Sequence, residues 1–281
     1  MAYKSLVTFA ATTDGLGAWL DTCAALAEQF DAHLEICALG VDLTQHMGIY
    51  PGAPAAIYTE SLDAARATAD SVAEAARAHL RGSTATLRWS IDTAMQSLGA
   101  LHVHAGLKAR YADLVVLPRP YGDGRGATDE VITESALFDG GAPVLIVPEA
   151  GATLRPFDKI VLAWDQSDEA MHATRAALPL LRDAREVNVV IIDPPVHGAE
   201  RSDPGRRLTQ MLARHGAEVE VSVLARSLPR TSDILRRHAI DQNADLLVMG
   251  AYGHSRLRQA ILGGTTRAML EETTLPVLMV H

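Results

Sequence analysis

The residues most suited to chemistry lie near the C-terminus. The apolar run Asp245-Leu-Leu-Val-Met249 leads into Gly250 and Gly253, then nine residues, then Gly263-Gly264-Thr265-Thr266. Glycine lets a backbone approach an anion closely or take positive φ. A helix that starts after such a loop offers unpaired N–H groups at its positive dipole end. Strand, small-residue turn, paired glycines and hydroxyls, then helix is therefore the order expected of a phosphate cradle. Between Gly250 and Leu270 stand Arg256, Arg258, Arg267 and His254 with no acid, which suits a polyphosphate. On spacing alone, a long strand-to-helix connection explains the glycines equally well. Neither a G-x-x-x-x-G-K-[ST] motif nor a G-x-G-x-x-G after a first strand is present, so a dinucleotide fold of that kind is excluded.

The elements that would position this loop occur twice. Lys4-Ser-Leu-Val-Thr-Phe-Ala10 reads like Lys159-Ile-Val-Leu-Ala-Trp-Asp165, which sets Ala10 against Asp165. Amphipathic helices are predicted next, over about 16–30 and 169–182, then second strands over 33–39 and 187–192. Ala112–Leu117 matches Ala244–Met249, and Ala142–Val147 matches Leu275–Val280. Alternating strands and helices with Val/Leu/Ile-rich strands predict parallel sheets covered on both faces. The first half holds extra residues between Asp42 and Leu80. They read as a loop over Thr44–Ile57, then an Ala-rich helix with Leu62, Ala65, Ala69, Val72, Ala76 and Leu80 on one stripe. The link at 149–156 is small and polar. The expectation is two tandem α/β domains, 1–150 and 151–281, each a five-stranded parallel sheet flanked by helices.

Composition narrows the function classes. The chain has 281 residues, 48% apolar and 21% charged, so a sizeable core is expected. The net charge of −9 argues against general nucleic-acid binding. Residues 1–150 carry 9 Lys/Arg against 18 Asp/Glu, and residues 151–281 carry 16 of each. No apolar run approaches the roughly 20 residues of a membrane span. The N-terminus enters a strand pattern at once, so a cytoplasmic protein is predicted. Cys23 and Cys37 sit in apolar periodic segments and read as buried, reduced thiols.

With Ala163-Trp-Asp-Gln-Ser167 after the first strand of the second half, and Gly250-x2-Gly253-x9-Gly263 after the fourth, the chain resembles the universal stress protein family. The closing Leu275-Pro-Val-Leu-Met-Val280 fits as well. The resemblance implies two tandem Rossmann-like domains of the adenine nucleotide alpha hydrolase-like type. It implies ATP, AMP or ADP as ligand, with or without Mg. It assigns Asp165 to the adenine edge, and Ala163 and Ile192 to the base pocket. Gly250 and Gly253 fall to ribose and phosphate, Gly263 opens the phosphate turn, and Met249 joins the nucleotide site. Gly264 stands where the family places Ser or Thr, so Thr265 or Thr266 would supply the hydroxyl. The family further implies a stress-linked cytoplasmic binding module and domains paired through their last strands. In a tandem chain that pairing gives an internal pseudo-dimer, with a homodimer open.

The first half lacks these features. Pro118-Arg-Pro-Tyr121 replaces the turn glycines, and Pro118–Asp139 carries two arginines against five acids. One nucleotide per chain is therefore expected. A slow ATPase needs a base or nucleophile that Asp165 and His254 alone do not constitute; a ligand-free interaction protein is the third alternative. Asp165 and Ser167 also read as helix N-caps, Trp164 as core, and His254, Arg256 and Arg258 as exposed. His46, Met47, Tyr50 and Tyr58 read as a surface loop, and His102 and His104 lack further metal ligands.

Overall fold

The computed structural model describes residues 3–43, 55–82, 86–122, 124–148, 157–194, 203–251 and 264–281. The chain forms two compact units. One takes the described residues up to Ala142, and the other takes Pro143–Pro148 with those from Phe157 onward.

The first unit contains β1 (Ser5–Ala10), α1 (Leu16–Gln29), β2 (His33–Asp42), α2 (Ala55–Leu80), β3 (Arg88–Ser97), α3 (Leu98–Arg110), β4 (Leu114–Pro118) and α4 (Ala127–Phe138). Its strands run β3-β2-β1-β4, all parallel. α2 begins at Ala55, so residues 55–57 of the expected loop are helical. It packs so tightly on β2 that a Cβ on Gly40 would lie 1.8 Å from Ala65 O. Cys23 and Cys37 are buried free thiols, and burial pushes both up to about 12.

The second unit opens with β5 (Val144–Val147) and β6 (Lys159–Ala163). There follow α5 (Asp168–Ala176), α6 (Leu178–Asp183), β7 (Glu186–Ile192), α7 (Arg206–Arg214) and β8 (Val219–Leu224). α8 (Thr231–Asp241), β9 (Leu246–Gly250), α9 (Gly264–Glu272) and β10 (Val277–Val280) complete it. The strand order is β5-β10-β9-β6-β7-β8. β10, β9, β6, β7 and β8 are parallel, whereas β5 joins antiparallel, with Val277 opposite Ile146 and Leu278 opposite Leu145. β5 thus covers the edge that β10 would otherwise expose. The helix expected over 169–182 is broken at Ala177. Pro179 has no N–H to continue the first helix and instead starts α6.

The same carboxylate device fixes the first strand in each unit. Asp113 accepts the N–H groups of Lys4 (2.7 Å) and Ser5 (3.0 Å). Asp245 accepts those of Asp158 (3.1 Å) and Lys159 (2.9 Å). Ladder pairing agrees, with Leu6 opposite Leu114 and Ile160 opposite Leu246. Ser5 therefore corresponds to Lys159, and Ala11 rather than Ala10 corresponds to Asp165. Matching the two lysines by sequence slips the strand by one residue, because the clamp holds different residues at the strand entry. One step also reverses faces along a strand. The true counterparts of Ala163 and Trp164 are Phe9 and Ala10.

Candidate functional site

The sequence run β6-α5-β7 extends the second sheet one way and β9-α9-β10 extends it the other way. The C-terminal ends of β6 and β9 therefore form a topological switch point, where parallel α/β sheets open a crevice. A cleft of about 400 Å³ occupies this place. Ala163, Asp165, Ile192, Met249, Gly250, Gly264, Thr265 and Thr266 all line it. Gly253, Gly263, His254, Arg256 and Arg258 lie outside the described residues, as do His46, Met47 and Tyr50.

Asp165 is held by a turn of its own making. Its Oδ1 accepts Ser167 N–H (3.0 Å) and the Ser167 hydroxyl (2.6 Å), and Ser167 Oγ accepts Ala170 N–H at 3.1 Å. Ser167 is thus the N-cap of α5, and Asp165 is the residue that orients it. Both bonds use Oδ1. Gln166 and Asp193, at the ends of β6 and β7, take left-handed φ of 67° and 49°. Non-glycine residues adopt that region at a cost of about 1 kcal/mol or more.

Gly250 has a packing reason for its identity. A Cβ there would meet Ala170 N at 2.7 Å and Glu169 C at 2.8 Å, so only glycine lets the start of α5 sit against β9. Gly264 is the opposite case: it opens α9, is exposed, and a Cβ would meet nothing within 4 Å. Thr266 is 4% exposed and Thr265 is half-buried.

Three helix N-termini converge on the cleft. α5 brings Ser167, Glu169 and Ala170, α8 brings Thr231 and Leu235, and α9 brings Gly264–Thr266. Asp168 and Glu169 occupy the first turn of α5, and Asp233 that of α8, whereas the first turn of α9 has no acid. The N–H groups of an unneutralised first turn attract anions, and adjacent carboxylates cancel that attraction. The arrangement favours an anion at α9.

The supports of α8 and α9 extend beyond the cleft. Arg230 pairs with Glu272 (2.9 Å) and Asp233 (2.9 Å), and Arg236 also pairs with Glu272, which ties α8 to α9. Beneath α8, His238 Nε2 meets Asn188 Oδ1 at 2.8 Å, and Asn188 Nδ2 donates to Ser222 Oγ at 3.0 Å. Burial depresses the His238 pKa below its ordinary value. The His102 and His104 pair lies on α3; among the described residues no group of three or more His, Cys, Asp or Glu could hold a metal.

Sequence reasoning did not assign Ser167, Glu169, Val190, Asp193, Arg226, Thr231, Leu235 or Trp164 to the cleft wall. Arg226, Thr231 and Leu235 follow β8 in sequence with no motif, and only the strand order brings them to the switch point. Trp164, expected as core, is 9% exposed and lines the cleft as well.

Comparison with known proteins places this geometry. The universal stress protein family profile matches residues 156–281. A universal stress protein of Synechocystis sp. is 28% identical over 145 residues, covering 48% of this chain and 46% of that relative's own length. Thus the match spans about half of the curated relative. A universal stress protein structure from Archaeoglobus fulgidus superimposes with a TM-score of 0.69 at 14% identity, covering 98% of this chain and 96% of its own. A putative universal stress protein structure from Pseudomonas aeruginosa gives 0.56 at 18% identity, covering 99% and 93%. Residues 156–281 therefore carry a universal stress protein domain, and the chain as a whole shares the fold of the two solved structures.

Proposed function

We propose that the second half, 151–281, binds ATP or another adenine nucleotide, AMP or ADP, with or without Mg. The site residues are those of the cleft together with Gly253 and Gly263. One nucleotide binds per chain, and the first half, 1–150, is a degenerate copy that serves packing or partner contacts. The chain acts as a cytoplasmic stress-response module rather than as an enzyme. Its two halves form an internal pseudo-dimer, a reading supported by the antiparallel pairing of β5 with β10. Among the described residues, no helix is long and apolar enough to cross a membrane.

The observation that carries this reading is the acid-free first turn of α9, which opens a cleft at the strand switch point. Polyphosphate at that helix start would gain N–H donors and dipole without meeting a carboxylate. Asp165 Oδ2 would accept from the base edge. One observation favours a ligand-free interaction protein instead: among the described lining residues, Asp165, Glu169 and Asp193 face only Arg226.

Denaturing the purified protein and analysing the supernatant, followed by calorimetric titration with ATP, tests the proposal. One site per chain is expected. No released nucleotide and no heat at millimolar ATP would transfer the case to the ligand-free reading. Turnover above a no-enzyme control that disappears in Asp165→Ala would indicate a slow ATPase.

A further inference from the structure

The least explained group at the second cleft is the indole of Trp164. This residue lies one position beyond β6, and its backbone N–H donates to Val190 O at 2.9 Å. The side chain is 9% exposed and forms part of the cleft wall. Its Nε1 is buried and has no hydrogen-bond partner among the described residues. A buried donor without an acceptor destabilises a fold, and native proteins leave few of them.

The first cleft shows how the chain treats such a donor where no ligand is expected. Trp19 lines that cleft, and its Nε1 donates to Thr8 Oγ1 at 2.9 Å. The register counterpart of Thr8 is Leu162, which has no acceptor in its side chain. The counterpart of Trp164 is Ala10, so the fold itself does not require an indole here. An aromatic with an unmet donor therefore stands between Ala163 and Asp165, in the wall of the cleft.

We infer that Trp164 is a specificity-determining residue whose indole N–H donates to an acceptor atom on the base or ribose of the nucleotide in the second cleft. This rests on the nucleotide reading above. The ring torsion of an aromatic side chain is broad, so a modest turn presents the N–H to the cleft without a change of rotamer. Ligand binding then satisfies a donor that the ligand-free protein leaves unmet.

The experiment compares wild type, Trp164→Phe and Trp19→Phe by calorimetric ATP titration and by the melting temperature of the ligand-free protein. Trp164→Phe removes the unmet donor and is expected to weaken ATP binding about tenfold without lowering the melting temperature. Trp19→Phe removes the buried hydrogen bond to Thr8 and is expected to lower the melting temperature while ATP affinity stays within about twofold. In the wild type, the indole 15N–1H resonance of Trp164 should move downfield at saturating ATP. Unchanged affinity in Trp164→Phe, or a stationary resonance in the ATP-bound wild type, overturns the inference and leaves nucleotide binding intact. A wild type that binds no ATP removes both.

Discussion

The two clefts of this chain occupy the same place on related sheets and differ at the positions of Ala163, Asp165 and Gly250. The first has about 360 Å³ and the second about 400 Å³, so size does not separate them. Phe9 fills the position of Ala163, Ala11 replaces the carboxylate of Asp165, and Pro118 replaces Gly250. The helix starts differ most. Asp129 accepts Gly126 N–H at 3.0 Å and pairs with Arg125 at 3.2 Å, so α4 carries its own anion. α9 has none, and its first residue faces open space. An internal carboxylate in one cleft thus does the work that a phosphate would do in the other. The fold supplies a switch-point crevice twice, and a few side chains decide whether it is self-satisfied or open.

The sharpest way to break the contrast is Gly250→Val. The added side chain must displace the start of α5 from β9, which should cost about 1–3 kcal/mol or more of stability and abolish nucleotide binding. Pro118→Ala, its counterpart, should leave ATP affinity unchanged; calorimetry with thermal melts separates the two. Equal effects would contradict the one-site claim.

Gly264→Asp should next convert the second cleft toward the first by placing a carboxylate at the start of α9. ATP affinity should fall more than about tenfold while the melting temperature holds, since the position is open. Gly264→Ser should instead tighten binding by a few fold, because the hydroxyl adds a donor or acceptor at the phosphate turn. If neither variant changes affinity, the anion does not sit at α9.

Asp129→Asn tests the self-capping of the first cleft. It should cost roughly 1 kcal/mol in urea unfolding. No second nucleotide site should appear in calorimetry, since Phe9 still fills the position of Ala163.

The pH dependence should also mark the halves. His238 in the second unit and His104 in the first both have folded-state values depressed, in each case chiefly by burial. The unfolded chain then binds more protons than the folded one as pH falls below about 6.5, so stability declines from there downward and is fully present above it. His238→Gln should flatten the dependence contributed by the second unit in urea titrations at several pH values, and a profile identical to wild type would remove His238 from the account. Smallest of all, Arg230→Ala should leave the urea midpoint nearly unchanged, since its ion pairs are exposed.

Much of this was legible from residue order. The Val/Leu/Ile runs, the repeat of Ala-Asp-Leu before the fourth strands, and the loss of glycines at Pro118–Tyr121 indicate two α/β halves of unequal equipment. They do so because side-chain periodicity and backbone freedom are local properties. The lysine match Lys4/Lys159 misled by one residue, because register depends on where Asp113 and Asp245 clamp the strand entry. That step put Phe9 at the position of Ala163, a substitution invisible in the sequence match. The placement of β5 beside β10, the convergence of α5, α8 and α9, and the entry of Arg226, Thr231 and Leu235 into the cleft wall depend on strand order across distant segments. So does the unmet indole of Trp164, which reads as plain core from its neighbours alone. Sequence determined which residues could form a phosphate cradle. Tertiary structure decided which carboxylates and aromatics stand beside it, because those contacts are made between elements that chain order does not bring together.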